Sequence, residues 1–369
     1  MVGSTADANV IDFEAMGGFE IATGLDQFVS LDMSGDDGSF LRAWGSFVLR
    51  VAGFAESYGT LAFEQSTDLL VLADGREIAV DKLALGGQNL SGFAGVGGPY
   101  FIDDDGDGRI TASDTTRNAD AIGFALENAD FALALLRAQD DSTGLGALQW
   151  LGLEAGAQNL SFVGIDDVTI SASDLSLQVN QIFGASTGAD QRLANFAAQP
   201  IEVALGNGTV QALDISADQG PLIRAAADIE LALGGFAYLG GSVAIEKSRR
   251  KLQLSNSQMI EHDVLSIGGS DLQAFAGVNG GPLIDSNSDG VIDSQDTPGA
   301  QAVGLSLAGV EFGLVFASDD TGAKRVALEA QADAAGFVGL DGGDMQLRNT
   351  ALAVNFVQGD ASQTVLDFA

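Results

Sequence analysis

An all-β, elongated tandem repeat of the β-solenoid type is the fold this sequence predicts. Three observations predict it: the chain repeats itself over most of its length, apolar residues alternate over short runs, and small or polar residues separate the runs. Alternation with period two places successive side chains on opposite faces of a strand. One example is Val168-Thr169-Ile170-Ser171, then Ser173-Asp174, then Leu175-Ser176-Leu177-Gln178-Val179. Another is Ile122 to Leu126, then Asn128-Ala129-Asp130, then Phe131 to Leu136. Such brief corners between strands suit rungs that stack on one another. Asn89, Asn128 and Asn159 are 39 and 31 positions apart, so the rung length varies, and stacked antiparallel β-sandwiches are the alternative.

The duplication sets the domain organisation. GGQNLSGFAGV from Gly86 matches GGSDLQAFAGV from Gly268, and Asp103 matches Asp285, each pair 182 positions apart. Upstream, Leu31-Asp32-Met33-Ser34 matches Leu213-Asp214-Ile215-Ser216, Arg42 matches Arg224, and GTLAFEQS ending at Ser66 matches GSVAIEKS ending at Ser248. Downstream, FVGID at Phe162 pairs with FVGLD at Phe337, and Val179-Asn180 with Val354-Asn355. A repeat of about 160 to 180 residues follows. The copies run from Phe19 to Ile182 and from Ile201 to Phe356, which divides the chain into β-rich repeats over 1–190 and 191–369. Val365-Leu366-Asp367-Phe368 resembles Val10-Ile11-Asp12-Phe13 at the head of the first copy, as a third copy in a longer array would. Between the copies, Leu193, Phe196 and Ala197 stand at helical spacing before Pro200, which predicts a short helix or linker there.

Composition bounds the function. The 369 residues carry 51 Asp plus Glu against 16 Lys plus Arg, a formal charge of -35, which argues against nucleic acid or an anionic membrane as partner and favours cations. There is no cysteine, so disulfides, zinc ribbons and thiol catalysis are excluded. Hydrophobic residues make up 46% and Gly numbers 49, the composition of a packed protein and not of a disordered acidic tail. No apolar stretch approaches the roughly 18 to 20 residues that span a bilayer, and membrane insertion is not expected. MVGSTADANV lacks the basic and apolar regions of a signal peptide, so an export address is expected either elsewhere in a longer protein or removed from this segment.

Two segments carry chemistry. DDDGDGRITASD from Asp103 to Asp114 and DSNSDGVIDSQD from Asp285 to Asp296 share the grammar of a calcium loop, in which oxygens at positions 1, 3, 5, 7, 9 and 12 wrap a hard cation and glycine turns the chain at 6. The predicted ligands of the first are Asp103, Asp105, Asp107, the Arg109 carbonyl and Asp114. Those of the second are Asp285, Asn287, Asp289, the Val291 carbonyl, Asp293 through water and Asp296. Ile110 and Ile292 supply the apolar eighth position that pins such loops to a core. Position 12 is Asp where the usual bidentate ligand is Glu, and the flanking AIGFALENADFALALL and AVGLSLAGVEFGLVF read as strands and not helices. The bland reading of each segment is an acidic turn, which Asp and Gly favour for conformational reasons alone. Two matching loops at equivalent places favour calcium.

The loops resemble the dockerin and EF-hand-like calcium loops of secreted proteins. FAGVGGPYFIDDDGDG, AIGFALENADFALALL and FVGIDDVTISASDLSLQVN together are similar to repeat modules of giant secreted bacterial surface proteins of the calcium-dependent, RTX-adhesin-like kind. The resemblance implies export to the cell surface, calcium-dependent rigidity, and a structural or adhesive role. Its implied partners are calcium ions, neighbouring repeats of the same polypeptide or fibre, and a cell-surface glycan or protein. No GGxGxDxUx run is present, so a parallel β-roll with calcium in every turn is not implied.

Catalysis finds little support. His262 is the only histidine, and it has no counterpart in the first copy; a satisfied surface or core residue is its expected role. No GxSxG elbow with a partnered histidine, P-loop or GxGxxG after a strand can be assembled. Glu64 with Glu246, or Asp166-Asp167 with Asp341, are the carboxylate pairs a β-helical polysaccharide-active enzyme would need. Trp44, Trp150, Tyr58, Tyr100 and Tyr238 are the aromatics that a carbohydrate-binding module would align on one face. These are the alternatives to a non-enzymatic structural repeat.

Overall fold

The computed structural model describes residues 10–51, 54–107, 110, 114–139, 145–184, 192–284, 286, 297–340, 345–360 and 362–368. Among these, all regular structure is strand apart from one 3₁₀ turn at Gly35–Asp37. A first hairpin, β1 (Phe19–Gly24) and β2 (Gln27–Leu31), precedes six long strands. These are β3 (Leu41–Val51), β4 (Ala55–Val71), β5 (Glu77–Val96), β6 (Ile122–Ala138), β7 (Gln149–Val163) and β8 (Val168–Phe183). A second hairpin, β9 (Ile201–Gly206) and β10 (Thr209–Leu213), precedes six more: β11 (Leu222–Leu233), β12 (Ala237–Gln253), β13 (Met259–Val278), β14 (Val303–Asp319), β15 (Lys324–Val338) and β16 (Met345–Gln358).

The twelve long strands form one sheet in the order β16-β15-β14-β13-β12-β11-β8-β7-β6-β5-β4-β3. Every neighbouring pair is antiparallel, including β8 with β11 across the boundary between the copies, where Leu222 faces Asn180. The all-β class therefore holds, and the solenoid does not. Rungs of a solenoid pair in parallel, whereas here the chain meanders and the sheet stays open. The alternative of layered antiparallel sheets is compatible with this arrangement. The accessible surface is 20408 Å², against about 14,000 Å² for a compact chain of this mass, as a sheet with uncovered faces requires.

The reason for the misreading lies in the middle of the strands. Asn89, Asn128, Asp174 and Asp271 have φ of 51°, 52°, 50° and 53°, and Gly309 has 57°. The pairing register shifts beside most of them, as between Gly87 and Leu90 or between Gly269 and Leu272. These are β-bulges, where one residue enters the left-handed region that Asn and Asp tolerate. The polar pairs that resemble solenoid corners thus interrupt single strands of 15 to 20 residues without ending them.

The duplication is visible strand by strand. β4 and β12 have 17 residues each, β5 and β13 have 20, β6 and β14 have 17, and β7 and β15 have 15. The main core lies where the β9–β10 hairpin packs on one face of β4 to β7. Ile201, Val203 and Leu213 of the hairpin are fully buried against Ala84, Ala132, Ala134 and Trp150. The opposite face of the sheet carries exposed Leu61, Leu135, Ile245 and Phe316.

The segment read as a short helix or linker is a strap. Leu193, Ala194 and Phe196 are buried; the backbone bridges the β4–β5 turn at Ala194 and then makes a single turn at 196–198, where Ala198 N donates to Asn195 O. Ala194 bridges Leu72, Ala73 N donates to Leu193 O, and Asn195 N donates to Val71 O. Trp150 Nε1 donates to Arg192 O at 2.7 Å and Asn180 Nδ2 to Ala194 O at 2.8 Å. A helix here would withdraw those carbonyls into its own ladder and leave the two buried donors without acceptors.

At the corresponding place in the second copy the chemistry changes. His262 occupies the Val80 position and Arg325 the Trp150 position, both buried. Arginine only donates, so His262 Nε2 accepts from Arg325 Nη1 at 3.1 Å while Nδ1 donates to Ile260 O. His262 is a satisfied core residue, as expected. Arg325 also pairs with Asp319 at 2.8 Å and Asp360 at 3.2 Å. Burial alone would raise the Asp319 carboxyl, but hydrogen bonds from Thr321 and Arg325 outweigh it and hold it at about 2. Asp360 is likewise held below the usual carboxylate range by hydrogen bonds from Ser362 and Thr364. Depressed carboxyls stabilise the fold above their unfolded value of about 3.9 and lose that contribution as pH falls through the folded value. The second copy is accordingly expected to lose stability between about pH 4 and pH 2. Asp319→Asn should flatten that fall in an acid melting series; an unchanged slope would contradict the assignment.

Candidate metal centre

The first loop leaves the sheet after β5 and returns at β6. Its entrance is held by Glu56 on β4, a buried carboxylate whose Oε1 accepts from Tyr100 N at 2.6 Å and Phe101 N at 3.1 Å. Its Oε2 accepts from the Tyr58 hydroxyl at 2.6 Å. Burial, with that hydrogen bond to Glu56, pushes the Tyr58 hydroxyl up to about 12. The exit is held by Arg117, which bonds Asp114 O at 2.7 Å and Glu127 at 3.1 Å and lies 4.9 Å from the Phe101 ring centre. Phe101 and Arg117 form an antiparallel bridge that closes the neck.

Between these clamps the loop gathers acid. Asp103, Asp105 and Asp114 offer carboxylate oxygens that all lie within 4.8 Å of one another. Asp114 is buried, Asp103 half-buried and Asp105 exposed, so one side of the cluster is rigid and the other faces solvent. Asp114 Oδ1 accepts from Asp104 N at 2.8 Å, and Asp103 Oδ1 from Gly106 N at 2.7 Å. Three carboxylates this close repel one another, and a hard divalent cation relieves the repulsion while taking oxygen ligands. Ile110 packs on the cluster of Tyr58, Phe93, Phe101, Ala121 and Ala125, the anchoring expected of the eighth position.

Of the predicted ligands, the structure brings Asp103, Asp105 and Asp114 together. Asp107 lies in the same loop outside that triad, with its backbone N donating to Asp105 Oδ1 at 3.1 Å. Arg109 lies outside the described residues, as do Asp285, Asn287, Asp289, Val291, Asp293, Asp296 and Ile292 of the second loop. The described neck of that loop is closed by a bridge between Ile284 and Thr297.

Three groups escaped sequence reasoning. Asp104 takes Thr115 N at 2.8 Å and Thr116 N at 3.0 Å, joining the two ends of the loop. Hydrogen bonds from the Thr116 side chain and backbone hold its carboxyl below the usual range. The Thr-Thr pair after the loop was its only local signal. Glu56 and Arg117 act through the fold, Glu56 from 44 positions before Tyr100, and nothing local announces them. In the second copy Tyr238 occupies the register of Glu56, and Gln273 Oε1 accepts from Leu283 N at 2.9 Å in its place. Tyr238 lies over Gly240, at the register of Tyr58, so the two tyrosines are neighbours in register and not equivalents.

The first candidate carboxylate pair does not assemble. Glu64 and Glu246 lie on β4 and β12, six strand positions apart in the sheet, roughly 29 Å. Glu64 pairs with Arg42 at 2.8 Å and Lys82 at 3.1 Å, while Glu246 pairs with Arg224 at 2.6 Å and with Arg250. Asp341 lies outside the described residues. Of the five aromatics named for sugar stacking, only Trp44 is exposed; Tyr100 is half-buried, and Trp150, Tyr58 and Tyr238 are buried. Among the described residues no helix is long and apolar enough to cross a membrane. No protein-family model and no curated protein matches the chain.

Proposed function

We propose that this chain is a calcium-stabilised structural or adhesive repeat segment of a large extracellular bacterial surface protein. The convergence of Asp103, Asp105 and Asp114 within 4.8 Å carries the reading. Its support is the way the loop is built: both ends are stapled to the sheet, and one carboxylate is buried and hydrogen-bonded. A calcium ion there draws the exposed side of the loop onto the clamped side, which stiffens the rim of the sheet next to the β5–β6 connection. The role is mechanical and non-catalytic. Secretion fits the weak calcium affinities of extracellular modules, roughly 10⁻⁴ to 10⁻³ M.

Calorimetric titration tests the site. The chain is expected to bind two calcium ions, one per loop, with the first loop the tighter because Asp103, Asp105, Asp107 and Asp114 place four carboxylates where the second loop has Asn287 at its third position. Asp114→Ala should remove one ion and Asp289→Ala the other. An unchanged stoichiometry in Asp114→Ala overturns the ligand assignment.

A further inference from the structure

The internal junction between the two copies has two unused halves elsewhere in the molecule. In that junction β9–β10 lies on β4 to β7, and β11 extends the sheet from β8. The first hairpin, β1–β2, is the twin of β9–β10 in register: Phe19 faces Leu31 and Ile21 faces Val29, as Ile201 faces Leu213 and Val203 faces Gln211. Phe19, Ile21 and Leu31 match apolar Ile201, Val203 and Leu213, while Gln211 stands where Val29 does; Ile201 and Val203 are 0% exposed whereas Phe19 and Ile21 are 52% and 41% exposed.

The acceptor is duplicated as well. A methyl group built on Gly86 would overlap the Ala204 carbonyl, so glycine at that place lets the hairpin backbone approach closely. Gly268 repeats it on β13, where the nearest atom to such a methyl is Phe312 O at 3.7 Å. Beside it, exposed Gly313 stands at the register of buried Ala132, and exposed Ala244 at that of buried Ala62. The strap is repeated too: Leu366 bridges Leu254 as Ala194 bridges Leu72, Asn355 Nδ2 donates to Leu366 O at 2.7 Å, and Arg325 Nε donates to Thr364 O at 2.9 Å. Edge strands β3 and β16 are the twins of β11 and β8, which pair in the interior.

We propose that the face of β12 to β15 receives the β1–β2 hairpin of a second copy of this chain, joining copies head to tail by the geometry of the internal junction. The same joint pairs β16 with β3 of the incoming copy, Val354 opposite Leu41, as Val179 lies opposite Ile223. The hairpin does not fold back onto its own second unit, because it precedes edge strand β3 and β12 to β15 lie beyond β8 and β11. The strap site is filled by residues 365–368 of the receiving copy, so the incoming copy contributes its hairpin from Phe19 onward. Such a contact is heterologous, so each joined pair keeps one free hairpin and one free acceptor face and further copies can add. It stands on this geometry alone and does not depend on the calcium reading.

Sedimentation velocity over a concentration series tests it, in about 0.5 M salt to screen the -35 charge of each copy. The chain is expected to form species that grow beyond a dimer with concentration. Gly268→Leu fills the space the hairpin needs while meeting open space in the single copy; Ile21→Asp spoils the hairpin. Each variant alone should stay monomeric, and an equimolar mixture should form a 1:1 complex that grows no further, since each supplies the half the other lacks. Gly313→Leu provides a second acceptor block, and circular dichroism with unchanged melting shows that each variant folds. A chain that stays monomeric throughout, or folded acceptor variants that associate as the parent does, overturns the proposal.

Discussion

Trp150→Ala is expected to cost about 3–5 kcal/mol of stability, the range for removing a buried aromatic from a packed core. Trp150 is 0% exposed, sits between the sheet and the strap, and holds the strap through Nε1 to Arg192 O. Truncation removes the ring from among Phe196, Ile201 and Leu213 and leaves that carbonyl without its donor. The damage should be local in kind. Amide exchange of β9 and β10 should accelerate most, because the hairpin is held to the sheet chiefly by this core, while β13 to β15 should keep their protection. Urea unfolding followed by tryptophan-independent probes reads the loss. A change under about 1 kcal/mol would mean that the hairpin is not docked as described.

The contrast between the two copies explains why this position matters. Arg325 stands where Trp150 does, yet it is fixed by Asp319, Asp360, Thr364 O and His262. One copy builds the site from an indole under a docked hairpin, the other from a buried charge network under an open face.

Much of this architecture is legible in the residues, and the failures share a cause. Period-two alternation identifies strands because strands such as β4 and β6 have one face more buried than the other. The 182-residue offset identifies the repeat because equivalent registers need the same small residues, Gly95 and Gly277 among them, where a methyl group would overlap the Ile122 and Val303 carbonyls. What alternation cannot report is whether a polar pair ends a strand or bulges it. Asn128-Ala129-Asp130 and Ser173-Asp174 satisfy both readings, and only the pairing of β5 with β6 and of β8 with β11 decides for bulges. The strap escapes for a related reason: Leu193, Phe196 and Ala197 lie at helical spacing, but the side-chain donors that hold its carbonyls come from Trp150 and Asn180 on other strands. At the candidate site, loop spacing marks Asp103, Asp105 and Asp114, since those carboxylates are local. Glu56 and Arg117 stay hidden because they reach the loop across the sheet.

The most direct measurement of the central claim is the melting temperature in chelator and in calcium at equal ionic strength. At about 10 mM calcium a site with a dissociation constant near 10⁻⁴ M is about 100-fold above half-saturation, which contributes about 2.7 kcal/mol. For a unit of this size that corresponds to a rise of about 5–10 °C. Sodium at matched ionic strength should not reproduce it, because screening relieves repulsion among Asp103, Asp105 and Asp114 without supplying a shared ligand centre. Asp114→Ala should remove the part of the rise that belongs to the first loop. A calcium-specific rise that Asp114→Ala diminishes is the expected result; superimposable curves in chelator and calcium would contradict calcium binding at this loop.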